Sequence, residues 1–182
     1  KGSGRTTIYT HWKYYEELPE IKDIVYGLDF GFNHPTALIE VAITDDNRMF
    51  CKEIIYKEGL TSADLIKMMD ELNVSKKKEI ACDYARPEII EDLRRKGYNA
   101  KLAIKDVKDG IDSVKSSGLF IHKESLSTIK EIASYKWKTN GDITLDEPVK
   151  VYDDAMDAMR YAIHYWKSKN KKTDNNVYRI RY

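Results

Sequence analysis

The chain has 182 residues, 34% of them charged and 42% hydrophobic, with a formal net charge of +1, which suits one soluble domain with a real core. A balance so near neutral excludes a chain-wide basic field for nucleic acid, so any basic surface is local. No apolar run approaches a membrane span, the start KGSGRTTIYT has no secretory apolar segment, and Cys51 and Cys82 give neither a disulfide framework nor a zinc spacing.

The two cysteines fit a reducing compartment, packed as small hydrophobes. A start without Met reads as a domain cut from a longer chain, with Lys1 to Gly4 as an added leader. Residues 1–24 read as an irregular lead-in. Val25 to Phe30, Thr36 to Thr44 and Arg48 to Tyr56 then read as three successive strands, with Asp45-Asp46-Asn47 as a turn. Thr61-Ser62 starts a helix that runs to Leu72 with Leu65, Ile66, Met68, Met69 and Leu72 on its apolar face. Lys76-Lys77-Lys78 is a solvated loop. Glu79 to Asp83 is a short strand, and Pro87 sits at a first helical position before a helix to Gly97.

A strand follows over Tyr98 to Ile104, a helix over Val107 to Ser116, a strand over Leu119 to His122 and a helix over Leu126 to Tyr135. Asn140-Gly141 is a hairpin signal of the type I′ kind. A last helix covers Asp154 to Lys167, and residues 168–182 are a polar, basic tail. Three meandering strands followed by βα crossovers predict an α/β fold. It is a ribonuclease H-like mixed β-sheet flanked by helices on both faces, with a C-terminal hairpin and helix added and the domain running over 25–167.

That arrangement puts Asp29 and Asp83 at the ends of adjacent parallel strands. At a strand spacing of about 4.8 Å, two such charges repel by roughly 3.5 kcal/mol at an effective dielectric near 20. Each Asp on its own reads as a strand terminus bonded to its own loop. Two side by side call for a cation, and hard oxygen ligands suit Mg²⁺ or Mn²⁺. Asp154 and Asp157 lie on one face of the last helix, where they either cap it or bring further ligands. With Asp157 as third ligand the set suits two divalent cations about 3.5–4 Å apart, the arrangement that hydrolyses phosphodiesters.

The residues that carry this reading also resemble a known family. They are Gly27-Leu28-Asp29-Phe30-Gly31 with Pro35-Thr36-Ala37, then Asp83 with Ala85-x-Pro87, and Ala103-x-Lys105 with Gly110-Ile111. Tyr135-x-Trp137 and Asp157-Ala158-x-Arg160-Tyr161-Ala162 complete the series. Over about Tyr26 to Trp166 the chain resembles the C-terminal nuclease domain of the bacteriophage terminase large subunit. The resemblance implies metal-dependent cutting of double-stranded viral DNA during packaging, with Asp29, Asp83 and Asp157 as catalytic metal ligands. It also implies an ATPase domain in the same large subunit, a small terminase subunit and a portal as partners, and the host cell cytoplasm as location. Relatives often carry His or Asn where this chain has Asp154, which leaves that residue open between ligand and helix cap.

Lys105 and Arg86 are the expected DNA contacts, Arg86 alternatively pairing with Asp83. His34 beside Pro35 reads first as a turn residue and second as a proton-transfer group. Gly31 serves either a turn or a close backbone approach. The stretch from Lys167 holds six basic residues (Lys167, Lys169, Lys171, Lys172, Arg179, Arg181) against Asp174, a solvated end that alternatively binds phosphate. A junction resolvase or transposase-like nuclease of the same fold is the second reading, and a non-catalytic DNA or packaging docking module the third. The phosphate-loop pattern G-x-x-x-x-G-K-[ST] occurs nowhere in these residues.

Overall fold

Alternation along the strands decides which residues meet which layer. The computed structural model describes residues 6–180, with side chains to 171. Its strands are β1 (Trp12–Tyr15), β2 (Asp23–Asp29), β3 (Thr36–Ile43), β4 (Arg48–Lys57), β5 (Glu79–Cys82), β6 (Asn99–Leu102) and β7 (Gly118–His122). Helices α1 (Ser62–Glu71), α2 (Pro87–Arg95), α3 (Val107–Lys115) and α4 (Leu126–Ser134) lie between them, and the hairpin β8 (Trp137–Asn140) and β9 (Ile143–Pro148) leads into α5 (Asp154–Ile180). The first seven strands form one mixed sheet in the order β1-β7-β4-β3-β2-β5-β6.

Period-two alternation splits the core into two layers. Tyr26 and Leu28 of β2, Leu38 of β3 and Ile80 and Cys82 of β5 pack with Leu65, Met69, Ile90 and Leu93 of α1 and α2. Val25 of β2 and Ile39 and Val41 of β3 face the other way, onto Ile111 of α3, Ile132 of α4 and Met156, Met159 and Ile163 of α5. Helices therefore cover both faces, as the ribonuclease H-like reading expects. β2 pairs antiparallel with β3 and parallel with β5, in register Leu28 with Cys82. Where α5 crosses β2 the contact is close: a Cβ on Gly27 would stand 1.7 Å from the Ala158 carbonyl oxygen. Both cysteines are free and buried, as small hydrophobes.

Four features differ from the expectation. The lead-in is not wholly irregular, because β1 pairs in parallel with β7 at the sheet edge and Ile8 and Tyr9 are buried in the core. Thr7 bridges Lys136, so the segment is tied to the base of the hairpin. The hairpin turn is shifted by one residue. Asn140 pairs with Ile143, leaving Gly141 and Asp142 as its two central positions. Gly141 has φ of 61° and neither neighbour is positive, the pattern of a II′ turn with Gly first rather than the expected I′ turn. Last, α5 continues past residue 167 to Ile180. The side chains of the basic tail beyond 171, and Lys1 to Gly4, lie outside the described residues.

Candidate metal centre

The same alternation brings the acids together. Asp29 shares its strand face with Val25 and Gly27, the face on which α5 lies. Asp83 follows β5 directly and shares the face of Ala81, which packs against Tyr161 of α5. Because β2 and β5 are parallel, both carboxylates emerge at one end of the sheet, at the first turn of α5. An open cleft of about 530 Å³ there is lined by Asp29, Asp83, Asp153, Asp154, Asp157 and Tyr161, with His34 and Lys150 at its sides.

Asp29 is the most perturbed acid of this group. It is 8% exposed, and among the described residues no hydrogen bond or ion pair reaches its carboxylate. Burial first, and then the nearby charges of Asp157, Asp154 and Asp83, push its pKa up to about 9. Asp157 is pushed up to about 6 by burial and by Asp153, against the pull of Arg160, whose Nη2 donates to its Oδ1 at 3.1 Å. Arg160 is itself buried, with Nε and Nη1 unpaired among the described residues. Asp154 is raised by burial and held back by His34.

Ligand atoms of Asp29, His34 and Asp154 all lie within 4.8 Å of one another. His34 Nδ1 is 2.7 Å from Asp154 Oδ1, so the histidine is part of the cluster rather than only a turn residue. Gly31 makes this possible, since a Cβ there would meet the His34 ring at 2.2 Å. Its backbone is fixed by Thr36, whose hydroxyl donates to the Gly31 carbonyl at 2.8 Å.

Asp83 lies apart from that trio. Its Oδ1 accepts from the Ala85 amide at 2.9 Å, the loop bond expected of a strand terminus, and sits 2.5 Å from Lys105 Nζ. Lys105 also lies over the Tyr84 ring, 4.2 Å from its centroid. Arg86 does not pair with Asp83. It pairs with Glu88, stacks 5.4 Å over Phe30 and lines a smaller neighbouring pocket of about 340 Å³ that shares Asp29 and Asp83 with the cleft. Tyr152, exposed at the cleft, turns the chain into α5 with φ of 50°, a conformation rare for an aromatic residue.

The cap of α5 comes from a residue that sequence reasoning did not single out. Glu131 of α4, 2% exposed, accepts the amides of Ala155 at 2.8 Å and Met156 at 3.0 Å through one oxygen. Its other oxygen accepts from the Tyr56 hydroxyl at 2.5 Å. The available signal was an acid in line with Thr128, Ile132 and Tyr135, the buried stripe of its helix. Asp154 therefore does not spend its carboxylate on the amides that follow it.

The donor set fits a hard divalent cation: carboxylate oxygens and one imidazole, close together, with one buried acid that lacks a counter-charge among the described residues. Comparison with known proteins agrees with the fold. The large terminase of a thermophilic bacteriophage, solved in complex with ADP, aligns with a TM-score of 0.73 at 23% identity, over 87% of this chain and 44% of that one. The chain thus spans less than half of that protein. The nuclease domain of the bacteriophage SPP1 large terminase g2p, solved with bound Mn, aligns with a TM-score of 0.75 at 17% identity, over 86% of this chain and 97% of that one. The P22 large terminase nuclease domain aligns at 0.68 and 19% identity, over 82% and 84%. No curated protein matched significantly. A sequence model of the terminase RNAseH like domain matches residues 29–165, from the first acid to the middle of α5, and the chain therefore belongs to that family.

Proposed function

We propose that this domain is a metal-dependent endonuclease that cuts double-stranded viral DNA during genome packaging. The observation that carries the reading is Asp29, a buried carboxylate with no partner among the described residues, facing Asp154 and Asp157 across a cleft that also contains Asp83. Such a group is costly in a fold that has no cation to set against it. The bound Mn in the SPP1 nuclease domain is consistent with this reading.

Asp29, Asp83 and Asp157 would hold two divalent cations, Mg²⁺ or Mn²⁺, with Asp154 joining them. Two such ions supply a polarised water and stabilise the leaving oxygen of a phosphodiester. The chain's own groups do the rest. His34 fixes the orientation of Asp154 through their 2.7 Å contact. Lys105, whose ammonium lies 2.5 Å from Asp83 Oδ1 in this structure, would contact a DNA phosphate when Asp83 holds a cation. Arg86 lines the adjoining pocket, which shares Asp29 and Asp83 with the cleft, and would contact the backbone further along. Phosphate contacts of this kind position DNA without reading its sequence. The rest of a large subunit, including an ATPase domain, would precede this domain, and a small subunit and portal would complete the machine in the host cytoplasm.

Incubation of supercoiled plasmid with the domain and Mn²⁺ or Mg²⁺ is expected to give nicked and linear products, and excess chelator to abolish them. Undiminished cleavage in chelator would sink the metal centre. Tight DNA binding with no cleavage in either metal would favour a docking module, and a strong preference for four-way junctions a resolvase.

A further inference from the structure

The first amides of a helix have no partner within it, and carboxylates nearby compete to satisfy them. At the start of α5 three acids are at hand, Asp153, Asp154 and Asp157, and all three line the cleft. If Asp154 or Asp157 bent back to its own helix terminus, it would leave the cluster around Asp29. Glu131 removes that competition. One of its oxygens takes both the Ala155 and the Met156 amide, while the Asp157 amide donates to the Asp153 carbonyl at 2.7 Å.

Glu131 is in turn held from the sheet. The hydroxyl of Tyr56 donates to its second oxygen. Tyr56 on β4 is the register partner of Ala37 on β3, and Ala37 is the register partner of Asp29. One buried side chain thus ties α4, the strand pair beside Asp29 and the helix that carries Asp154 and Asp157. Resting on the metal-centre reading above, we propose that Glu131 is a positioning residue of that centre, which holds the first turn of α5 so that Asp154 and Asp157 face Asp29.

The role belongs to an acceptor at the right reach rather than to a charge. A further negative charge beside Asp154 works against a cluster already crowded with carboxylates. Burial, opposed by the Tyr56 and Met156 hydrogen bonds, pushes the Glu131 carboxyl up to about 7. The test therefore separates reach from charge. Glu131→Gln keeps the length and an amide oxygen for Ala155 and Met156 but removes the charge. Glu131→Asp keeps the charge but is one methylene too short.

Mn²⁺ affinity by titration calorimetry, kcat and KM for plasmid cleavage, and metal-free melting temperature are measured for both variants. Glu131→Asp is expected to bind Mn²⁺ about tenfold more weakly and to lose a similar factor in kcat, with KM for DNA unchanged. Glu131→Gln is expected to stay within about threefold of the parent in all of these. Parent-like Mn²⁺ affinity in Glu131→Asp overturns the proposal, as does an equal loss in Glu131→Gln. If Glu131→Asp does not fold, Tyr56→Phe, which leaves Glu131 in place but removes the hydroxyl that fixes it, is expected to cost about threefold in Mn²⁺ affinity. Parent affinity in that variant overturns the proposal equally. A parent protein that binds no Mn²⁺ would instead remove the metal centre itself, a result these variants cannot mimic.

Discussion

Replacing Asp29 by Asn should stabilise the metal-free domain while destroying its function. An unperturbed Asp ionises near 3.8, whereas Asp29 is held up to about 9, by burial first and then by Asp157, Asp154 and Asp83. At neutral pH the folded state therefore keeps a proton that the unfolded state has released. A group raised in this way has its full stabilising effect below the unfolded pKa, and the effect is lost as pH rises towards the folded one. At 1.36 kcal/mol per pH unit, the fold gives up about 4 kcal/mol between roughly pH 4 and pH 7. Neighbouring carboxylates share the protons of the cluster, so about 2–4 kcal/mol of this belongs to Asp29. For a domain of this size that is about 4–16 °C in melting temperature. Thermal melts followed by circular dichroism in excess chelator should place Asp29→Asn above the parent at neutral pH, with the gap closing towards about pH 4. Added Mn²⁺ should then raise the melting temperature of the parent and leave the variant where it is. A variant that melts below the parent at neutral pH, or a gap indifferent to pH, refutes the reasoning.

Lys105→Ala should raise Mn²⁺ affinity about two- to five-fold, because Asp83 loses the ammonium 2.5 Å away. The same change should lower the salt dependence of DNA binding by about one phosphate contact; weaker Mn²⁺ binding would contradict the first expectation, and an unchanged salt slope the second. Gly27→Ala should cost more than about 3 kcal/mol in urea unfolding, since its Cβ would overlap the Ala158 carbonyl on α5. A neutral result would mean that α5 crosses β2 less closely than described. Shortening the hairpin over Thr139 to Asp142 should alter cleavage rate or product lengths and leave Mn²⁺ affinity intact, because the ribbon continues into the Lys150 to Asp154 segment at the cleft. Parent rates with parent products would make it scaffold.

The features legible along the chain are local ones. Alternation in Val25 to Asp29 and Glu79 to Asp83 marks two strands that end in acids, and the spacing of Asp154 and Asp157 puts both on one helical face. The order of strands and helices was enough to predict that these ends meet, since a parallel crossover leaves little topological choice. How they meet is a matter of long-range packing. His34 reaches Asp154 across 120 residues of chain, and Glu131 reaches the α5 amides from 24 residues away. Neither contact follows from period two or period 3.6, which relate only residues a few places apart. The pairing of Lys105 with Asp83 and the docking of β1 on β7 are of the same kind, set by where the crossovers land. The turn of the hairpin is a smaller case. Asn140-Gly141 announces a tight turn, but the cross-strand register of the whole ribbon decides that Gly141 takes its first central position. Sequence names the carboxylates because strand and helix periods are short-range rules. The assignment of Asp154 to the cluster rather than to its own helix end depends on an acceptor supplied by another helix, and only packing brings that acceptor there.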